Sequence, residues 1–410
     1  DAITTGVNNV AMGRAALTTC TTGGSNVGIG LSALEALSTA SNNVAVGANA
    51  LGANNASSNV AVGASAAQAS TGVGNTAVGT SALAGSNTAN YNTAIGNSAL
   101  ENNTSGTTNV AVGRNALNAN TTGSVNTAVG MRSIDVNTTG YNLTAVGGDS
   151  MGANTTGNSN TAIGMDSLKA NTTGAENVAV GTYAGDSVTT ATVNTLIGHN
   201  AGTNATTGAA NTFIGAESGL SCTTNHYNTI VGYHADTKSD NTTDEYQISL
   251  GFNTESVGAN FFTFGKGTGN DRVYNGFTSN ASWTRVSDER YKKEIQDNTD
   301  CGLAFINDLR PVTFKWKAKS ELDSNFPDYD ATKTTADHTG KMYGLIAQEV
   351  KTALDKHNIT DFGGWSSITT GDHTQQGVSQ EMFIHPLIKA VQELSAKLTA
   401  AEARISALES

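Results

Sequence analysis

The pentapeptide Asn-(Val/Thr)-Ala-(Val/Ile)-Gly recurs down the first 250 residues, and its spacing limits the possible folds more than any other feature. Its glycines are Gly13, Gly30, Gly47, Gly63, Gly79, Gly96, Gly113, Gly130, Gly147, Gly164, Gly181, Gly198, Gly215 and Gly232, with a degenerate Gly251. The steps are 17, 17, 16 and 16 residues, then nine of 17 and one of 19. A unit this short cannot bury a face by itself, whereas stacked copies build one continuous core. The period therefore predicts an all-β repeat solenoid over residues 1–250, a β-roll with about 17 residues per coil. At a strand spacing of about 4.8 Å, fifteen such coils span roughly 70 Å.

Within each pentapeptide the residues three and one before Gly are β-branched, as in Val110 and Val112 or Thr161 and Ile163, and they flank a small residue, usually Ala. Alternation with period two reads as a short strand. The expectation is that the flanking pair faces inward and the Ala outward, where a small residue lets another surface approach. That middle position enlarges to Leu196, Phe213 and Ile230, which predicts a change of packing partner near the end. Four residues after Gly comes a second apolar beat at Leu17, Leu34, Leu51, Leu83, Leu100, Leu117, Ile134, Met151 and Leu168. Asn-Thr-Thr-Gly follows it at Asn120, Asn137, Asn154 and Asn171. Asn and Gly supply the left-handed conformations that corners need. These segments are expected to be solvated corners aligned along one edge, with Asn ladders, rather than a binding surface. The paired threonines of an extended segment point to opposite sides.

Charge divides the chain. Residues 1–235 hold 4 Lys+Arg and 9 Asp+Glu, whereas the remaining 175 residues hold 18 and 25. The predicted organisation is a repeat region at 1–250, a connector at 251–286 and a different domain at 287–410. A net charge of −12 disfavours a nucleic-acid partner. The chain lacks a run of 18 apolar residues, so no membrane insertion is expected. Three distant cysteines, Cys20, Cys222 and Cys301, suit neither a disulfide framework nor a CxxC site.

Ile384, Leu387, Val391, Leu394, Leu398, Ala401, Ile405 and Leu408 are spaced 3, 4, 3, 4, 3, 4, 3, a heptad seam. Pro386 suits the first turn of that helix. A coiled coil is expected over 384–408, and its mixture of Ile, Val and Leu leaves dimer or trimer open.

Three segments stand in order in this second part: SDERYKKEI at Ser287–Ile295, YGLIAQEV at Tyr343–Val350 and FIHPLIKAVQEL at Phe383–Leu394. Together they resemble the C-terminal intramolecular chaperone auto-processing domain of phage tail fibres and tailspikes such as endosialidases. The repeats before them resemble the head repeats of trimeric autotransporter adhesins and the shafts of phage tail fibres. The chaperone resemblance implies a domain that trimerises, guides folding of the fibre in front of it and then cuts the chain before its motif serine. It places the cut between Val286 and Ser287 and the catalytic pair at Ser287 and Lys292. That activity is a single-turnover Ser-Lys autoproteolysis, and no other catalysis is expected.

A neutral lysine can serve as the base for a serine nucleophile. Ser287 followed by Asp288 and Glu289 also reads as a helix N-cap with an acidic first turn. On one continuous helix, positions five apart sit about 140° apart and do not face each other. Either Ser287 lies on an extended lead-in, or the lysine comes from a neighbouring subunit. Gln348 and Glu349 read as packing and hydrogen-bonding residues.

The seven histidines form no HxH or HExxH spacing, and no phosphate-binding glycine loop opens a helix, so neither a metal nor a cofactor is expected. The functional expectation is a structural and adhesive homotrimer, a virion tail fibre that attaches to a glycan or outer-surface protein of a host or prey cell. The alternative is an extracellular, cell-surface trimeric adhesin of a bacterium using the same chaperone domain. A polysaccharide depolymerase is a third class, for which the repeats show no sugar-cleaving site.

Overall fold

The computed structural model describes residues 4–409 except 86, 239–244, 269–270, 277–283, 286–288, 290–291, 325–328, 337–339 and 371–372. The chain divides into two compact units, Asp1–Tyr291 and Lys292–Ser410.

The first unit is the solenoid. Fourteen strands of three residues run from β1 (Val10–Met12) to β14 (Thr229–Val231). Each pairs in parallel with the next at one coil's offset, as in Val110↔Thr127, Ala111↔Ala128 and Val112↔Val129. The stack continues with β15 (Ile248–Phe252) and β16 (Phe261–Lys266). It then turns antiparallel through β17 (Arg272–Gly276) and β18 (Thr284–Arg285). Part of the segment read as a connector thus adds strands to the same sheet. The glycine closing each pentapeptide is obligatory. Gly96 has φ +135°, and a Cβ there would sit 2.5 Å from the carbonyl oxygen of Gly113 in the next coil.

The strand's orientation is the reverse of the expectation. The middle residue points inward: Ala94, Ala111, Ala128, Ala145 and Ala162 are fully buried. The flanking pair points out, with Val112 and Val129 half-buried and Ile163 exposed. The physical reason is volume. A coil of 17 residues encloses only a thin core, which one Ala methyl and the Leu four residues after Gly already fill. Leu196, Phe213 and Ile230 therefore enlarge the inside, not an outer contact. In the coils of Leu196 and Phe213 the second beat shrinks to Gly202 and Gly219, and in the coil before them to Gly185, where a Cβ would lie 2.5 Å from Leu196. A Cβ on Gly219 would lie 2.6 Å from the Phe213 ring, and one on Gly202 2.8 Å from Leu196. Large centre with small corner replaces small centre with large corner.

Two columns of buried asparagine tie coil to coil. In one, the residue before each strand accepts from the backbone of its successor: Asn109 N–H donates to Asn92 Oδ1 at 2.9 Å and Asn126 N–H to Asn109 Oδ1 at 2.9 Å. Their amides donate inward across the coil to Gly123 and Gly140 carbonyls. The other column is the Asn of the Asn-Thr-Thr-Gly segments. Asn120 Nδ2 donates to Asn103 Oδ1, Asn137 to Asn120, Asn154 to Asn137 and Asn171 to Asn154, at 2.8–3.0 Å. These segments do align along one edge with an Asn ladder. The asparagines themselves, however, are fully buried, and only the second threonine (Thr122, Thr139, Thr156, Thr173) is exposed. The first threonine donates to the next coil, as Thr121 Oγ1 does to the Thr138 carbonyl at 2.9 Å.

This second ladder begins at Asn87, whose Nδ2 is left without a partner, and stops at Asn171, whose Oδ1 is likewise unpaired. The same column holds buried Cys20, Leu37, Asn54 and Ser70 before it and Val188 after it. Asn137→Leu should therefore cost more than Asn171→Leu. The first breaks a bond on each side, and the second removes an already orphaned oxygen. The expected gap is about 1–3 kcal/mol, the cost of one more unsatisfied buried polar group. Urea midpoints of the two variants measure it, and equal midpoints would show that the ladder adds nothing beyond packing.

The second unit is α+β. It holds α1 (Leu303–Asp308), an antiparallel pair β19 (Val312–Phe314) and β20 (Met342–Gly344), α2 (Ala347–Lys356), a hairpin β21 (Trp365–Thr370) and β22 (His373–Val378), and α3 (Ile384–Glu409). Its core gathers Cys301, Phe305, Val350, Leu354, Ile359 and Phe383. Phe305 and Phe383 stack at 6.3 Å, with Phe362 edge-on to both. The fold class is thus an all-β solenoid followed by a smaller α+β domain ending in a long helix.

Candidate autoprocessing segment and helical seam

Val286 and Ser287 lie outside the described residues, so the structure gives no geometry for the predicted pair. Lys292 opens the second unit on an exposed, irregular stretch. Its own backbone is not helical.

YGLIAQEV forms a strand running into a helix, β20 into α2, as its pattern suggests. Val350 is buried in the core, and Glu349 pairs with Arg310. This pairing pulls Glu349 below the usual carboxylate range. Asp308 is also lowered, by hydrogen bonds first from Lys356 (2.7 Å) and then from His357 (2.5 Å). Both contacts fix α2 against the end of α1. Sequence reasoning missed Arg310 and Asp308, because their partners lie 39 to 49 positions away and no local spacing announces them.

The helix α3 carries two stripes. Pro386 and Ala390 are buried against the domain, and Glu393 accepts from the Leu303 N–H at 2.9 Å, capping α1. The heptad residues lie about 100° round the helix from that stripe, at 100° per residue. They are exposed: Leu394 by 55 %, Leu398 by 59 %, with Leu387, Val391, Ile405 and Leu408 alike. The domain holds the first turns of the helix by one face and leaves the other bare.

Residues 287–359 match the Peptidase_S74 family model, the chaperone of endosialidase. The match begins at Ser287 and takes in the first two motifs, α1, the β19–β20 pair and α2. The hairpin and α3, with the third motif, fall beyond it. The C-terminal part of this chain is similar to that chaperone. No curated protein and no solved structure matches the chain.

Among the described residues, no three His, Cys, Asp or Glu side chains are grouped to hold a metal, and no helix is long and apolar enough to cross a membrane. The three thiols are free and buried, and burial pushes that of Cys222 up to about 12, so it is a packing residue rather than a nucleophile.

Proposed function

We propose that this chain is the shaft and distal part of a homotrimeric attachment fibre, borne on a virion, whose C-terminal domain directs trimer folding and then cuts the chain before Ser287. The observation that carries the reading is a match to the chaperone of endosialidase that begins at Ser287, directly downstream of a long stacked solenoid. The bare seam of α3 supports self-association, since a helix serving only its own domain would bury that stripe.

In this reading the Ser287 hydroxyl adds to the carbonyl carbon of Val286 while Lys292 takes its proton. The Val286–Ser287 amide breaks as its nitrogen is protonated, leaving an ester between Val286 and the Ser287 oxygen. Water then hydrolyses that ester, giving a new carboxylate at Val286 and restoring the hydroxyl. The fibre ending at Val286 attaches to a glycan or outer-surface protein of a host or prey cell.

Multi-angle light scattering of the expressed protein tests the assembly. The expected mass is three times the 41.8 kDa of the chain, with the released domain either included or lost as a trimer of its own. A monomer at micromolar concentration overturns the reading.

A further inference from the structure

The outward strand residue next to each glycine is aliphatic in every coil, from Met12 and Ile29 through Val112, Val129, Val146 and Ile163 to Leu250. No charged residue occurs in this column or in the outward Val/Thr column two residues before it. In the single chain the aliphatic column is uncovered: Val146 is 38 % exposed and Ile163 41 %. A solvated sheet face carries mainly polar and charged residues, whereas this one presents only aliphatic residues and threonine. We infer that this strand face is where copies of the same chain pack along the length of the fibre. The inference rests on the homotrimeric reading above and adds to it the surface used.

Four observations favour a second copy over a foreign partner. The column repeats at one strand spacing, about 4.8 Å, for roughly 70 Å, and a partner must match that period throughout to cover it. A parallel copy matches it row for row. The uncovered area of the two columns is on the order of 1,000 Å2, against about 800 Å2 per partner in a specific interface. The absence of charge lets identical rows meet without like-charge repulsion, which a foreign electrostatic partner would not require. Finally, α3 in the same chain leaves a second apolar stripe bare, so the chain has two surfaces of the kind that self-association covers.

The test is thiol labelling of the full chain carrying Val146→Cys, Ile163→Cys or, as control, Thr156→Cys on the exposed threonine edge. The native thiols are buried and stay silent. In the trimer the two column thiols should react at least about tenfold more slowly than the Thr156→Cys thiol, because access governs the rate. Adding Leu394→Asp and Leu398→Asp to release single chains should remove that difference while far-UV circular dichroism still reports the solenoid. Equal rates within a trimer overturn the strand-face interface and leave the fibre reading standing. Slow column rates that persist in folded single chains overturn it as well, since the shielding would then be internal. A wild-type monomer overturns both.

Discussion

Expressed at full length and incubated as assembled protein, the chain is expected to resolve on a denaturing gel into fragments of 286 and 124 residues. Ser287→Ala and Lys292→Ala should each leave a single full-length band. Nucleophile and base act as one unit, so removing either costs about as much as removing both, a loss on the order of a million-fold. Ser287→Cys keeps a nucleophile at the same atom and should retain partial cleavage, which separates a lost reaction from a lost fold. Denaturation matters to the readout, because a cut domain still bound to the shaft would otherwise run with it. An intact wild-type band after prolonged incubation would remove the protease and leave a retained trimerisation domain.

Replacing both Leu394 and Leu398 by Asp should abolish assembly. Both side chains are more than half exposed in the single chain, so the substitutions are nearly neutral for the folded monomer. In a three-stranded coil they would set six carboxylates within one short stretch of seam. Burying an unpaired charge costs several kcal/mol, and the like charges repel at close range. Light scattering should then report 41.8 kDa in place of three times that mass. Circular dichroism should keep the β signal and lose part of the helical one, since the distal turns of α3 beyond Glu393 have no other surface to pack on. An unchanged mass would place the interface elsewhere than the seam.

The sequence disclosed the solenoid through its period, because a unit bound to its neighbours must repeat every backbone contact. It disclosed the strand position too, through the glycine that alone tolerates φ near +135° against the next coil's carbonyl. It did not disclose which way the strand faces. Three residues with period two allow the centre or the flanks to be inside, and β-branched flanks suggested the wrong answer. The deciding signal lies between positions: Leu196 and Phe213 grow where Gly202 and Gly219 shrink, and only residues sharing one enclosed volume compensate in that way. The Asn-Thr-Thr-Gly corners misled for a related reason. Asparagine is usually a surface residue, yet a buried column of it is satisfied when each amide meets the next at one strand spacing. The heptad of α3 was legible throughout, because a seam needs only its own helix to be seen. The Ser287–Lys292 pair rests on motif resemblance; the family match spans both positions, and Ser287 lies outside the described residues.

Every coil holds non-glycine residues in the left-handed region of the backbone, such as Ser32 and Leu34, or Asn115 and Leu117. Each costs on the order of 1 kcal/mol in an isolated peptide. One coil alone is therefore uphill, and the hydrogen bonds that hold it to a neighbour offset this only once that neighbour is formed. The solenoid is a one-dimensional crystal in this sense. Its growth is downhill from an ordered end, but starting a new end is slow, and coils of nearly equal sequence can begin out of register with one another. A chain with this repetition benefits from a single privileged starting point at which three strands are aligned before any coil closes. In the proposed homotrimer, the distinct domain at one end of the repeats, with its own core and its exposed helical seam, would supply such a point. On that proposal the charge-rich C-terminal domain sets how the charge-poor repeats begin to order, and not only where they end.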